Sequence, residues 1–180
     1  IYSSSSIWAT YKYNDPYKYF KSQAIFLILG YFIIFITSKV DYHLYKKYSN
    51  HILIISIILL ILVLIPGIGT IRNGSRSWFG IGSFGIQPSE FAKLGLIIFT
   101  SKYLTRNKIK DIKSSVLPIL LIVLLIFGLI MLQPDFGTGV IIVITIVALL
   151  FVSGVNMSFF IKIGLLGLIG VVILVIIAPY

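Results

Sequence analysis

The chain is 180 residues long, 58% hydrophobic and only 11% charged, with a mean hydropathy of +1.06. A soluble domain is about 45–50% apolar and about 25% charged, so this composition excludes a soluble globular protein, a disordered tail and a fibrous repeat. The net charge of +10 would suggest nucleic acid in a soluble domain, but here the basic residues sit mostly between apolar runs and mark loops facing anionic membrane lipids, so no nucleic-acid partner is expected.

At about 20 apolar residues per crossing, the apolar content suffices for roughly six membrane spans. Ile1–Ala9 reads as the tail end of a helix whose beginning is absent. Full spans are expected over about Phe20–Ser38, then Ile52–Ile65, closed by Pro66-Gly67, and then Pro88–Leu104. Val116–Leu132, Gly137–Val152 and Phe159–Ala178 follow, the last stopped by Pro179-Tyr180. The expected fold is all-α: a polytopic transmembrane helix bundle of about six full spans plus the end of one more. The chain starts at Ile1 without an initiator Met or a basic leader, which reads as a piece of a longer protein. It holds no cysteine, so a disulfide framework, a thiol nucleophile and a Cys-based metal site are all excluded. His43 and His51 flank one basic loop and lack the spacing of a metal site.

Alternate loops must lie on opposite sides of the membrane. One set holds nine basic residues: Lys39, Lys46, Lys47, Lys102, Arg106, Lys108, Lys110, Lys113 and Lys162. The other holds five: Lys12, Lys18, Lys21, Arg72 and Arg76. The positive-inside rule puts the first set in the cytoplasm, and with it the loop Lys102–Ser115. The long loop Gly67–Gln87 and the short turn Leu132–Gly137 then face outward, as do both chain ends.

Three segments could carry chemistry. The loop Gly67–Gln87 gathers six glycines with Arg72, Arg76 and Trp78. Glycine lets backbone approach a ligand closely, Arg offers a fork for phosphate, and Trp prefers the interface. It reads either as a cationic, aromatic platform for an anionic headgroup or as a re-entrant turn among ordinary lipid phosphates. Gln87-Pro88-Ser89-Glu90 opens the next helix, with Pro at its first position and Glu90 at the positive end of its dipole. Lys93 follows at i+3, so the two charges can pair, and an ionisable pair in a membrane helix is expected inside the bundle or in a wet cavity. A substrate cavity and a buried structural pair are the two readings. In Gln133-Pro134-Asp135-Phe136-Gly137-Thr138, Asp135 either caps the following helix or points a carboxylate into a cavity shared with Glu90 and Lys93. In the last span Gly164, Gly167 and Gly170 recur along one face and are expected to pack against another helix.

Together, Asn73-Gly74-Ser75-Arg76-Ser77-Trp78, Gln87-Pro88-Ser89-Glu90-Phe91-Ala92-Lys93 and Gln133-Pro134-Asp135-Phe136-Gly137-Thr138 resemble, in order and spacing, the signatures of the SEDS family (shape, elongation, division and sporulation), which includes RodA, FtsW and SpoVE. The resemblance covers essentially the whole chain. It implies a ten-helix fold, of which this chain would supply the end of helix 1 through helix 7, in the bacterial cytoplasmic membrane. It also implies a peptidoglycan glycosyltransferase that joins lipid II into glycan strands on the outer face, working with a class B penicillin-binding protein. Carried over by position, the residues meeting substrate would be Arg76, Trp78, Gln87, Ser89, Glu90, Lys93, Asp135 and Thr138. The family's proposed catalytic aspartate would lie beyond residue 180, so this chain alone is expected to be inactive. Arg and Lys here could stabilise a leaving lipid pyrophosphate, no residue is clearly placed as the base, and a divalent metal could assist. A lipid II flippase and a non-catalytic scaffold recruiting a cell-wall synthase are the alternatives.

Overall fold

The computed structural model describes residues 2–72, 74–80, 85–106, 115–165 and 167. Asn73, the loop residues 81–84 and 107–114, and the end of the last expected span, with Gly170, Pro179 and Tyr180, lie outside the described residues. Helices dominate. They are α1 (Tyr2–Tyr13), α2 (Lys18–Ser38), α3 (Tyr42–Leu64), α4 (Pro88–Arg106), α5 (Leu117–Met131) and α6 (Phe136–Val152), with further helix over residues 157–165. Helix therefore covers residues of each expected span, although α3 starts ten residues earlier than its apolar run and the last is followed only part of the way. The all-α expectation needs one correction. Inside the long loop, β1 (Thr70–Arg72) and β2 (Ser75–Trp78) form an antiparallel hairpin, pairing Thr70 with Trp78, Ile71 with Arg76 and Arg72 with Ser75.

By length and composition, α2 and α3 could each cross a membrane. The 15 residues of α5 and the 17 of α6 are shorter. At 1.5 Å per residue they reach about 22 and 25 Å, less than the roughly 30 Å hydrocarbon core.

The chain divides into two compact units, Ile1–Leu44 and Tyr45–Tyr180. In the first, α1 packs on α2. Asn14 takes a left-handed conformation just past α1 and its N–H reaches the Thr10 carbonyl, the usual way for a helix to stop. Asp15 then bonds the Lys21 ammonium and the Tyr17 N–H, which together hold its carboxyl below the ordinary aspartate value. At the start of α3, Asp41 accepts from the His43 N–H and from its ring Nδ1, with the same effect.

The second unit is built on stripes three and four residues apart, the spacing of one helix face. They are Ser49, Leu53, Ser56, Leu60 and Val63 on α3, Ile119, Val123, Ile126 and Ile130 on α5, and Gly139, Ile142, Ile146 and Leu150 on α6. Small residues set the closest approaches. A Cβ on Gly95 of α4 would stand 3.1 Å from Ser56 Oγ and 3.4 Å from Leu53 Cα, so α3 and α4 touch nearly backbone to backbone. Gly164 and Gly167, expected to do this work, have nothing within 4 Å of an added Cβ among the described residues. Lys102 Nζ reaches Asn50 Oδ1 at 3.0 Å at one end of the α3–α4 pair, and the hairpin lies at the other.

After α3 the chain doubles back through Pro66-Gly67, and Gly69 comes to rest on the carbonyl of Val63. A methyl group there meets rigid backbone, whereas one on Gly139 meets the mobile end of Met131. Gly69→Ala is therefore expected to destabilise the full-length protein by about 1–3 kcal/mol, and Gly139→Ala to be near neutral because the helix gains propensity. Thermal unfolding in detergent measures both, and equal shifts would contradict the close approach at Gly69.

Candidate functional site

The exit of α5 and the entry of α6 form a turn that is hydrogen-bonded to the hairpin loop at two points. Gln133 is fully buried, and its side-chain Nε2 donates to the Leu60 carbonyl on α3 at 3.3 Å. Its own carbonyl oxygen accepts a short hydrogen bond from the Ser75 hydroxyl of β2. Asp135 is the N-cap of α6. Its Oδ1 accepts from the Thr138 N–H at 3.2 Å, and its Oδ2 from the Thr138 hydroxyl at 2.8 Å. Its Oδ2 also accepts from Gln87 Nε2 at 2.8 Å, on the segment leaving the hairpin loop. The capping reading of Asp135 thus holds, with the addition of Gln87. The structure gives Asp135 hydrogen bonds to Gln87 and Thr138, rather than contacts that join it to Glu90 and Lys93.

The hairpin has its own internal bracing. Thr70 Oγ1 donates to the Trp78 carbonyl, Ser75 Oγ also reaches Ser77 Oγ, and Phe79 and Ile86 exchange both backbone bonds below the sheet. The arginines divide differently from expectation. Arg72 lies over the Trp78 ring, 5.0 Å from its centroid, with its guanidinium against Gly85. Arg76 instead sends Nη1 toward the Leu64 carbonyl at 3.5 Å, at the C-terminal end of α3, where the helix dipole favours a cation. The cation–aromatic contact of this loop is made by Arg72 and Trp78.

On α4, Lys93 Nζ bridges both oxygens of Glu90 at 2.8 and 3.0 Å, as the i+3 spacing predicts. Glu90 remains 57% exposed and the Lys93 side chain 22%, so the pair lies at the surface of this chain rather than buried within it. Ser89 is fully buried, and its hydroxyl has no hydrogen-bond partner among the described residues, as is true of Gln133 Oε1. No three His, Asp or Glu side chains come together among the described residues as metal ligands would.

Sequence reasoning placed Gln87, Asp135 and Thr138 in the candidate set without foreseeing that they bond to one another. It missed Ser75 and Gln133 as the second junction. One signal was available: the connection between β1 and β2 reads Asn73-Gly74, the strongest short-range sign of a two-residue hairpin, and Gly74 has φ +82°.

An exposed i, i+3 pair contributes at most about 1 kcal/mol. Glu90→Ala and Lys93→Ala should each leave the melting temperature of the full-length protein nearly unchanged. If the pair meets substrate, each should still depress activity strongly. Loss of folding in both single variants would restore the buried structural pair.

Comparison with known proteins follows the same outline. The FtsW/RodA/SpoVE family, described as a cell cycle protein, matches residues 1–180. Stage V sporulation protein E of Bacillus subtilis is 44% identical over 182 residues, covering 100% of this chain and 50% of its own length. The probable peptidoglycan glycosyltransferase FtsW of Saccharophagus degradans is 35% identical over 100% of this chain and 47% of its own. Among solved structures, the rod shape determining protein RodA of Thermus thermophilus matches with a TM-score of 0.69 at 30% identity, over 82% of this chain and 48% of that one. A chain from a peptidoglycan synthase complex that coordinates polymerization and crosslinking gives 0.72 at 31% identity, over 83% and 44%. The chain spans about half the length of the curated relatives it matches.

Proposed function

The chain belongs to the FtsW/RodA/SpoVE family of cell cycle proteins, and from that premise we propose that the protein it is part of polymerises lipid II into peptidoglycan glycan strands during elongation, division or sporulation. The observation that carries this reading is the convergence of all three motif segments at one end of the second unit. Ser75 bonds the Gln133 carbonyl there, and Gln87 bonds Asp135. Relatives named as probable peptidoglycan glycosyltransferases support the activity, and the synthase-complex neighbour supports a class B penicillin-binding protein as partner.

The chemistry needs a cationic environment for a lipid pyrophosphate and a base for the acceptor hydroxyl. Lys93 and Arg72 are the cations that would supply this environment, Arg72 lying against Trp78 and Gly85 and Lys93 staying partly exposed beside Glu90. Gln87, Ser89, Asp135 and Thr138 act here as residues that hold the mouth of the site in shape, with Arg76 tied to the end of α3. No described residue is placed as the base, and the family's proposed catalytic aspartate is expected beyond residue 180. The described residues do not offer a divalent cation a ligand set.

The protein is proposed to cross the bacterial cytoplasmic membrane several times, six of the crossings being full spans within this chain. The hairpin end lies outside and the Lys102 end in the cytoplasm. The nine-to-five basic asymmetry supports that orientation.

The test is the full-length protein with its penicillin-binding partner and purified lipid II, read on a gel for glycan strands. Strands without any other polymerase are expected, and headgroup translocation without strands would mean a transporter. Partner recruitment with neither would mean a scaffold. Sidedness is read with Ile71→Cys and Thr105→Cys in intact cells under an impermeant thiol reagent, any outer membrane being permeabilised. Labelling at 71 alone is expected, and labelling at 105 alone would invert the orientation.

A further inference from the structure

The connection from α1 to α2 takes no part in the site above, and its composition is unlike its surroundings. Tyr11–Lys21 holds four tyrosines and a phenylalanine, with three lysines against one aspartate. Asp15 is bonded to Lys21, so that charge is matched. Lys12 and Lys18 make no ion pair among the described residues. Both ammonium groups reach the same ring, lying 5.6 and 5.8 Å from the Tyr13 centroid. Tyr19 stands edge-on to Tyr13 at 5.8 Å, and Trp8 stacks on Tyr11 at 6.0 Å with both rings more than half exposed.

Where this cluster sits decides what it meets. It ends where α2 begins, and α2 is an apolar helix of 21 residues with no buried residue. The cluster therefore lies at the level where apolar surface gives way to water. Trp and Tyr favour that level because each has an apolar body and a polar tip, and Lys reaches it by extending its stem. Exposed cation–π contacts are weak, so an anion of higher charge density can draw both ammonium groups off the ring while the aromatic faces stay against glycerol and acyl carbons.

We propose that the α1–α2 connection is a seat for an anionic glycerophospholipid, its phosphate held by Lys12 and Lys18 at the rim of Tyr13 and its backbone resting on the surrounding tyrosines. Asp15 completes the arrangement. By capping the turn at Tyr17 and holding Lys21, it fixes the bend that brings Lys12 and Lys18 to one ring.

The experiment measures retention of phosphatidylglycerol against phosphatidylcholine by the detergent-solubilised full-length protein, using native mass spectrometry. A lysine near an anionic lipid surface is worth about fivefold, so Lys12→Gln/Lys18→Gln should weaken phosphatidylglycerol retention by about twenty-fivefold and leave phosphatidylcholine unchanged. Lys162→Gln, at an exposed lysine of the second unit, should have no such effect. Unchanged phosphatidylglycerol retention in the double variant overturns the proposal, as does an equal loss in Lys162→Gln, which would mean net charge alone. Inorganic phosphate at millimolar concentration is the last arm. If it displaces the lipid fully, the seat is for a free anion and the lipid assignment fails. Far-UV circular dichroism of the double variant identifies a loss caused by unfolding of α1, and such a loss would count against a seat made by the two charges.

Discussion

The Asp135 carboxylate accepts from two directions, from Thr138 on its own helix and from Gln87 on the segment that leaves the hairpin loop. The need behind this arrangement is general. A turn between two short apolar helices lies close to hydrocarbon, where an unsatisfied carboxylate or carbonyl costs several kcal/mol and no water is at hand to relieve it. The helices α5 and α6 rise only about 22 and 25 Å, so little length separates this turn from their apolar stretches. The hairpin loop supplies what water would have supplied: a hydroxyl from Ser75 to the Gln133 carbonyl and an amide from Gln87 to Asp135. Gln133 in turn ties the junction to α3 through Leu60. Three segments far apart in sequence are held at one end of the bundle by polar demand rather than by apolar area.

The apolar packing beneath sets the distances. Gly95 lets α4 approach α3 to backbone contact, and Gly139 lets the ends of Met131 and Phe127 close over the start of α6. The doubled-back chain at Gly69 then starts the hairpin directly over the end of α3, within reach of the turn. Arg76 strengthens that placement by directing its charge at the last carbonyls of α3. Lys93 and Glu90 stand on the first turns of α4, which begins at the same end, with their charges paired but still open to the surroundings.

Much of this is legible in the sequence. Apolar runs locate helices because a crossing needs length and little else, and the i+3 spacing of Glu90 and Lys93 foretells their bond. Asp135 before a helical run offers a cap as one of two readings, and it caps α6. The inward faces were not legible. The outward positions Leu121, Leu124 and Leu125 of α5 are as apolar as the inward Ile119, Val123 and Ile126, so no polarity contrast marks the core. Nor could composition say which glycines lie at contacts, since Gly95 and Gly164 differ only in what stands opposite. The hairpin was hidden for another reason: its strands are three and four residues long, and only the Asn-Gly step between them signals it.

The dependence of the site on the bond between Gln87 and Asp135 is measured most directly by a double-mutant cycle on the full-length protein. Gln87→Ala, Asp135→Ala and the pair together are compared by unfolding in detergent. A charge-assisted hydrogen bond in a partly buried place predicts a coupling of about 1.5–3 kcal/mol, with the double variant less destabilised than the sum of the singles. Strict additivity would mean that the hairpin loop and the α5–α6 turn are held together by something else.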